Sequence, residues 1–166
     1  MPRDAITSHY KQIFKFFLIS FDIRHLHSKK LGGEDTNVVE NSIIDSFIQL
    51  VIKLNESLFK PLFLKTVDWG TSELAQGNAE NEDVEVGRDS RLLFTYRLVD
   101  RLLDRLKSIV APYYGCLLEN ALEQLKLYSK KDGKKPDALW NNVMASLHKS
   151  MLHDNDGTNC ALSPKT

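Results

Sequence analysis

The sequence predicts an all-α protein built from antiparallel helix hairpins. Apolar residues recur every three or four positions in six separate segments, which is the period of an amphipathic helix. No segment alternates apolar and polar residues in the manner of a half-buried strand. The links between the segments are mostly short and polar, which favours helices that run antiparallel to their neighbours.

Length and composition are those of one globular domain. The 166 residues are 42% hydrophobic and 27% charged, enough apolar material for a core. Lys plus Arg and Asp plus Glu both total 22, so any binding of nucleic acid must come from a local patch rather than a whole-molecule field. Cys116 and Cys160 stand far apart, which excludes a disulfide framework. The most apolar run, residues 13–23, is about half of the ~20 residues that cross a bilayer, so no membrane partner is expected.

The first two helices are predicted at residues 8–27 and 37–54. The first is apolar on more than one side and is followed by a Lys- and Gly-rich link over residues 28–36. Asn37 and Glu40 have the three-residue spacing of a capping box, which predicts the start of the second helix.

A short third helix is predicted at residues 58–69, followed by an acidic loop. Proline lacks a backbone N–H, so Pro61 is tolerated only near the first turn of a helix. Residues 71–89 carry six acidic side chains and few large apolar ones. Such a segment cannot bury enough surface to offset its ordering entropy, and we predict that it is unstructured.

The last three helices are predicted at residues 90–111, 113–129 and 137–152. Pro112 separates the first two of these, since the residue before a proline disfavours the helical conformation. Asp137 is a good N-cap for the last.

The six predicted helices form three consecutive hairpins. Their pitch suits a HEAT-like α-solenoid segment, although a helical bundle would give nearly the same pattern. We assign residues 1–157 to one helical domain and residues 158–166 to a disordered tail.

The sequence contains none of the common catalytic or cofactor motifs. Glycine-rich phosphate loops, the HExxH zinc motif and the GxSxG nucleophile motif are all absent. His25 and His27 are two positions apart, which on a helix points them to nearly opposite sides and disfavours chelation. We therefore expect no enzymatic activity, no cofactor and no metal.

One basic row is the best candidate for a functional site from residue chemistry alone. Arg97, Arg101 and Arg105 lie on one ridge of the fourth predicted helix, with Arg91 and Lys107 nearby. The planar guanidinium fork suits phosphate, so the ridge is a candidate contact for an RNA backbone. A merely solvated helix face is the alternative, because charge runs are common on amphipathic helices.

The acidic residues of the same helix are expected to form surface ion pairs with these arginines. Asp100 follows Arg97 and Asp104 follows Arg101 by three positions, the spacing of ordinary helix pairs. A second basic cluster occupies the turn before the last helix and is a candidate phosphate contact, a nuclear address or only a solvated turn. It comprises Lys130, Lys131, Lys134 and Lys135.

Two runs, residues 53–69 and 91–115, make the sequence recognisable. The patterns Asn-Glu-Ser-x-Phe-x-Pro-Leu-Phe and Tyr-Arg-x-x-Asp, with the acidic segment between them and the later Leu139-Trp140, carry the likeness. Over residues 37–157 the chain resembles the C-terminal domain of the HEAT repeat-containing protein 1 family, which includes U3 small nucleolar RNA-associated protein 10. The motif residues are expected to serve packing: Asn55, Phe59, Pro61, Trp69, Tyr96, Pro112 and Trp140.

The resemblance implies a non-enzymatic scaffold of the nucleolar small-subunit processome, active in ribosomal RNA transcription and processing. The implied partners are other processome proteins, the small nucleolar ribonucleoprotein and pre-ribosomal RNA, with no small-molecule substrate. The family has further repeats before this domain and helices after it, so the chain is expected to be a fragment or truncated variant. A HEAT-type adaptor of the nuclear transport kind is the alternative.

Overall fold

The computed structural model describes residues 3–72, 82–130 and 137–154, and within these ranges every regular element is helical. The seven α-helices are α1 (Arg3–Phe21), α2 (Ile23–Leu31), α3 (Gly33–Val51), α4 (Glu56–Thr71), α5 (Glu82–Leu106), α6 (Gly115–Ser129) and α7 (Ala138–Leu152). Two 3-10 turns, Lys107–Ile109 and Ala111–Tyr114, follow α5. The predicted all-α, HEAT-like class of antiparallel hairpins is confirmed.

The chain divides into two compact units, Met1–Phe94 and Thr95–Thr166, with the boundary inside α5. In the first unit α3 packs against α1 and α2, and α1 also contacts α4. In the second unit α7 packs against α6 and against the 3-10 turn Ala111–Tyr114.

The core of the first unit is a cluster of aromatic rings centred on Phe21, which is almost fully buried. The Phe21 ring lies 5.2 Å from Phe47, 5.5 Å from Trp69 and 4.6 Å from Phe94, measured between centroids. Each of these residues comes from a different helix. Tilted and edge-on ring pairs add about 0.5–1.5 kcal/mol beyond area burial, so this cluster is what joins the four helices.

The predicted first helix is two helices. It breaks at Asp22, whose amide donates to Ile19 O at 3.3 Å, one residue short of the α-helical partner. The Asp22 carboxylate accepts two hydrogen bonds from Arg91, at 2.7 and 2.9 Å. This partner is 69 positions away in the sequence, so local pattern gave no sign of the break.

The predicted capping box is wrong. Helix α3 begins at Gly33, after Gly32 with a φ of 78°, and the structure gives it no side-chain cap. Asn37 and Glu40 lie inside the helix and both bind Arg24 of α2. The two residues that resembled a local cap in the sequence instead make tertiary contacts with Arg24.

Helix α4 starts earlier than predicted and contains Pro61 in its second turn. Asn55 is the N-cap, and its side chain accepts a hydrogen bond from the amide of Leu58 at 3.1 Å. Pro61 is exposed, so the ring that would disturb a packed face points away from the core. Pro61 was expected near the first turn, and it lies in the turn that follows it.

Helix α5 begins at Glu82, eight residues before its predicted start at 90. Residues 82–89 are therefore helical rather than unstructured, and Thr71 and Ser72 complete the end of α4. Residues 73–81 of the predicted acidic loop lie outside the described residues, as does the predicted tail over residues 158–166.

The second unit is held by buried polar pairs as well as apolar packing. Tyr96 Oη donates to Asn120 Oδ1 at 2.9 Å, and Tyr114 Oη lies 2.9 Å from Ser146 Oγ. Asp137 caps α7 as predicted, accepting a hydrogen bond from the Trp140 amide at 2.8 Å. Helix α5 ends at Leu106, not at 111, because the chain tightens into two 3-10 turns, the second of which contains Pro112.

Candidate nucleic-acid interface

The arginine row predicted from the sequence lies on the outer side of α5, within the second unit. Arg97 and Arg101 are half-buried and Arg105 is exposed. The opposite side of the same stretch is the core side, formed by Tyr96, Leu98, Val99, Leu102 and Leu103. At about 1.5 Å of rise per residue, the three arginines span about 12 Å along the helix.

The two aspartates beside this row are bound by a lysine that the sequence analysis did not consider. Lys149 of α7 places Nζ 2.8 Å from Asp100 Oδ1 and 2.8 Å from Asp104 Oδ2. Asp100 and Asp104 were expected to pair with arginines of their own helix. They also serve a tertiary contact, because their side of α5 faces α7.

Lys149 is held as a cation by this contact. Desolvation lowers its pKa, but the hydrogen bonds and charges of Asp100 and Asp104 outweigh that effect and raise the pKa above its ordinary value. The cluster of Arg97, Arg101, Arg105, Lys107, Lys149, Asp100 and Asp104 contains five basic and two acidic side chains. Its formal charge is therefore +3 in a chain whose net charge is zero.

Lys107 follows α5 directly and is exposed. Its φ of 46° is in the left-handed region, which an L-residue other than glycine, asparagine or aspartate seldom adopts. The turn therefore presents the Lys107 side chain beyond the end of the row.

Arg91, expected near the row, has a structural role in the first unit. Its guanidinium binds the Asp22 carboxylate and lies 5.0 Å from the centroid of the Trp69 ring. Lys130 is exposed at the end of α6. The other lysines of the second basic cluster, Lys131, Lys134 and Lys135, lie outside the described residues.

The residues that carried the family likeness occupy several environments. Phe59 and Tyr96 are buried, and Trp69 packs its ring against Phe21 and Phe94. Trp140 stacks on Tyr128 with 4.4 Å between ring centroids.

The three remaining motif residues, Asn55, Pro61 and Pro112, are exposed. Asn55 caps α4, and Pro112 opens the second 3-10 turn, where a missing N–H costs nothing.

Grouped metal ligands and membrane-spanning helices are both lacking from the part of the chain that the structure describes. In that part no three His, Cys, Asp or Glu side chains come close enough to hold a metal ion. None of its helices has the length and apolar character needed to cross a membrane.

Comparison with known proteins identifies relatives over most of the chain. The sequence model of the BP28CT (NUC211) domain family matches residues 5–159, so the match begins well before residue 37, where the resemblance was first placed. U3 small nucleolar RNA-associated protein 10 of Schizosaccharomyces pombe is 39% identical over 78% of this chain, and that of Mycosarcoma maydis is 32% identical over 92%. Human HEAT repeat-containing protein 1 is 31% identical over 93%.

These relatives are far longer than the chain described here, which spans about 7% of the length of each of the three. No solved structure matches the chain.

Proposed function

The chain belongs to the BP28CT (NUC211) domain family, and from that membership we propose that it is a non-enzymatic scaffold segment acting in ribosome biogenesis. Its relatives are named for association with U3 small nucleolar RNA or for HEAT repeats. We place its role in the nucleolar small-subunit processome, in processing of pre-ribosomal RNA toward the small-subunit RNA and in transcription of ribosomal DNA.

The main support for the scaffold role comes from the contacts that buried polar side chains make with one another. Glu40 is fully buried and binds Arg24, and Tyr114 is buried against Ser146. Each of these polar groups makes a hydrogen bond with another group of the same fold. Side chains that fix helices to one another in this way are what a packing module requires.

Protein partners are expected to bind the outer sides of the end helices. Phe16 and Ile19 on α1 are each 64% exposed, and Met151 and Leu152 on α7 are 63% and 65% exposed. In a solenoid, such residues are covered by the neighbouring repeat or by a partner. The proposed partners are other processome proteins and the small nucleolar ribonucleoprotein.

A domain replacement in Schizosaccharomyces pombe tests this function. The corresponding domain of the U3 small nucleolar RNA-associated protein 10 is exchanged for this chain, and the tagged chimera is localised while pre-ribosomal RNA is measured. We expect a nucleolar chimera that restores the early small-subunit RNA intermediates lost when the domain is deleted. A cytoplasmic chimera, or deletion that leaves the intermediates unaltered, would instead support the transport-type adaptor.

A further inference from the structure

We propose that Arg97, Arg101 and Arg105 bind the phosphates of an RNA strand, and that Lys149 favours this binding by pairing with Asp100 and Asp104. The inference rests on the proposed role in a particle that contains RNA. It assigns Lys149 a positioning role, since this lysine acts through the two carboxylates rather than on the RNA itself.

The row has the dimensions of a short stretch of nucleic-acid backbone. Successive arginines are about 6 Å apart along α5, and the three span about 12 Å. Three guanidinium groups in a line of this length can contact several phosphates of one strand. Lys107 follows the end of α5, two positions after the last arginine, and adds a further exposed positive charge there.

Arg is better suited than Lys to binding phosphate in such an arrangement. Its rigid fork donates two parallel hydrogen bonds to a phosphate, and its weak hydration lowers the cost of the contact. Contacts of this kind position a strand without reading its sequence. We therefore expect binding to single-stranded RNA that depends little on sequence.

Asp100 and Asp104 would oppose this binding if Lys149 were absent. Residues three or four apart on a helix have about 5–6 Å between Cβ atoms, which is shorter than the screening length of about 8 Å in physiological salt. The carboxylates would repel the RNA and compete for the arginines. With Nζ at 2.8 Å from both of them, Lys149 offsets half of their combined negative charge.

The first experiment measures binding of the chain to a fluorescent oligouridylate of about 20 nucleotides in about 50–200 mM salt. Replacing Arg97, Arg101 and Arg105 together by Gln should lower the affinity at least about tenfold at 50 mM salt. The salt slope should become shallower by about 0.7 for each lost contact. The matched control removes three exposed lysines of the first unit, Lys53, Lys60 and Lys65, also by Gln.

Equal losses in the arginine variant and this control would mean that only net charge matters, and would overturn the proposed site. The same titration with poly-L-glutamate decides the class of ligand. If the arginine row binds this polymer as tightly as the RNA, an acidic protein is the partner and the proposal is wrong.

The second experiment is a double-mutant cycle on Lys149. Lys149→Gln should weaken RNA binding several-fold in the native chain, but should have no effect when Asp100 and Asp104 are already Asn. A direct contact between Lys149 and RNA would instead cost the same in both backgrounds and would overturn the positioning role. Lys149→Arg should bind as the native chain does.

Circular dichroism at the binding temperature shows whether each variant remains folded. If Lys149→Gln unfolds, the cycle is run with Lys149→Arg and Lys149→Met, and equal affinity of these two would overturn the proposal.

A separate result distinguishes a wrong assignment of the arginine row from a wrong scaffold function. A yeast chimera with the three arginines replaced that still supports RNA maturation, together with unchanged RNA affinity, rejects the row alone.

Discussion

At the scale of single residues, the ion pair between Arg24 and Glu40 shows how this fold joins neighbouring helices. Both carboxylate oxygens of Glu40 accept hydrogen bonds from the Arg24 guanidinium at 2.8 Å, and the Glu40 side chain is fully buried. Asn37 Oδ1 accepts a third bond from Arg24 at 2.6 Å. Removing one partner of such a pair leaves a desolvated charge without compensation.

Glu40→Gln should therefore destabilise the chain by about 3 kcal/mol, near the lower end of the effect of breaking a buried pair. The value is at that end because the Arg24 side chain keeps 16% of its exposure and can recover some hydration. Urea unfolding followed by circular dichroism measures the change. Exposed Glu119 of α6 provides the control, and Glu119→Gln should stay within about 0.5 kcal/mol. Similar effects of the two changes would contradict the role of the buried pair.

Lys107 is the residue whose backbone conformation is strained. A left-handed φ costs an L-residue about 1–2 kcal/mol, and glycine avoids that cost but loses more entropy on folding. Lys107→Gly should raise the free energy of unfolding by about 0.5–1 kcal/mol, measured by thermal melting. Lys107→Ala removes the same charge but keeps the Cβ, and should give no such gain. If alanine stabilises as much as glycine, charge rather than strain explains the effect.

At the scale of elements, the sequence pattern predicted those helix ends that depend on contacts between residues close together in the chain. Helix α7 begins as expected because Asp137 and its bonded amide are three positions apart. The break between α1 and α2 depends on the distant contact of Asp22 with Arg91. The candidate site likewise has one part that the local sequence predicts and one part that it does not. The spacing of the arginine row followed from the helix period, whereas Lys149 reaches Asp104 from 45 positions away.

Pro61 gives a prediction for α4. Its nitrogen has no hydrogen to donate to Ser57 O, the carbonyl four residues earlier, although the helix continues to Thr71. Pro61→Ala supplies this donor at an exposed position and should raise the free energy of unfolding by about 1 kcal/mol, after allowing for the greater entropy of the unfolded chain. Urea unfolding measures it, and Lys60→Ala at the neighbouring exposed position is the control. A loss of stability would show that the proline ring makes a packing contribution of its own.

At the scale of the whole molecule, the groups whose pKa is raised most clearly belong to the second unit. Burial raises the pKa of Tyr114 to about 12 and moves the pKa of Tyr96 upward still further. The pKa of Lys149 is also raised, although by its two carboxylate partners against a desolvation effect of opposite sign. All three groups are protonated in the folded unit at neutral pH. All three lie outside the first unit, which contains one tyrosine, Tyr10.

Alkaline pH should therefore destabilise the second unit before the first. A group whose folded pKa lies above its unfolded value contributes stability below the unfolded pKa and loses it as pH rises through the folded one. For Tyr114 this window opens near pH ~10 and closes near 12. Two single-tryptophan variants report the units separately: Trp69→Phe leaves Trp140, and Trp140→Phe leaves Trp69.

We expect the Trp140 emission to change at a lower pH than the Trp69 emission. Tyr128 stacks on Trp140, so its ionisation would quench the signal without unfolding, and Tyr128→Phe is included in that reporter. Tyr114→Phe should then move the Trp140 transition to higher pH, because the buried hydroxyl that resists ionisation is gone. Far-ultraviolet circular dichroism confirms that each change in emission accompanies loss of helix. A single transition shared by both tryptophans, or an earlier one at Trp69, would show that the raised pKa values of the second unit do not set the alkaline limit of the fold.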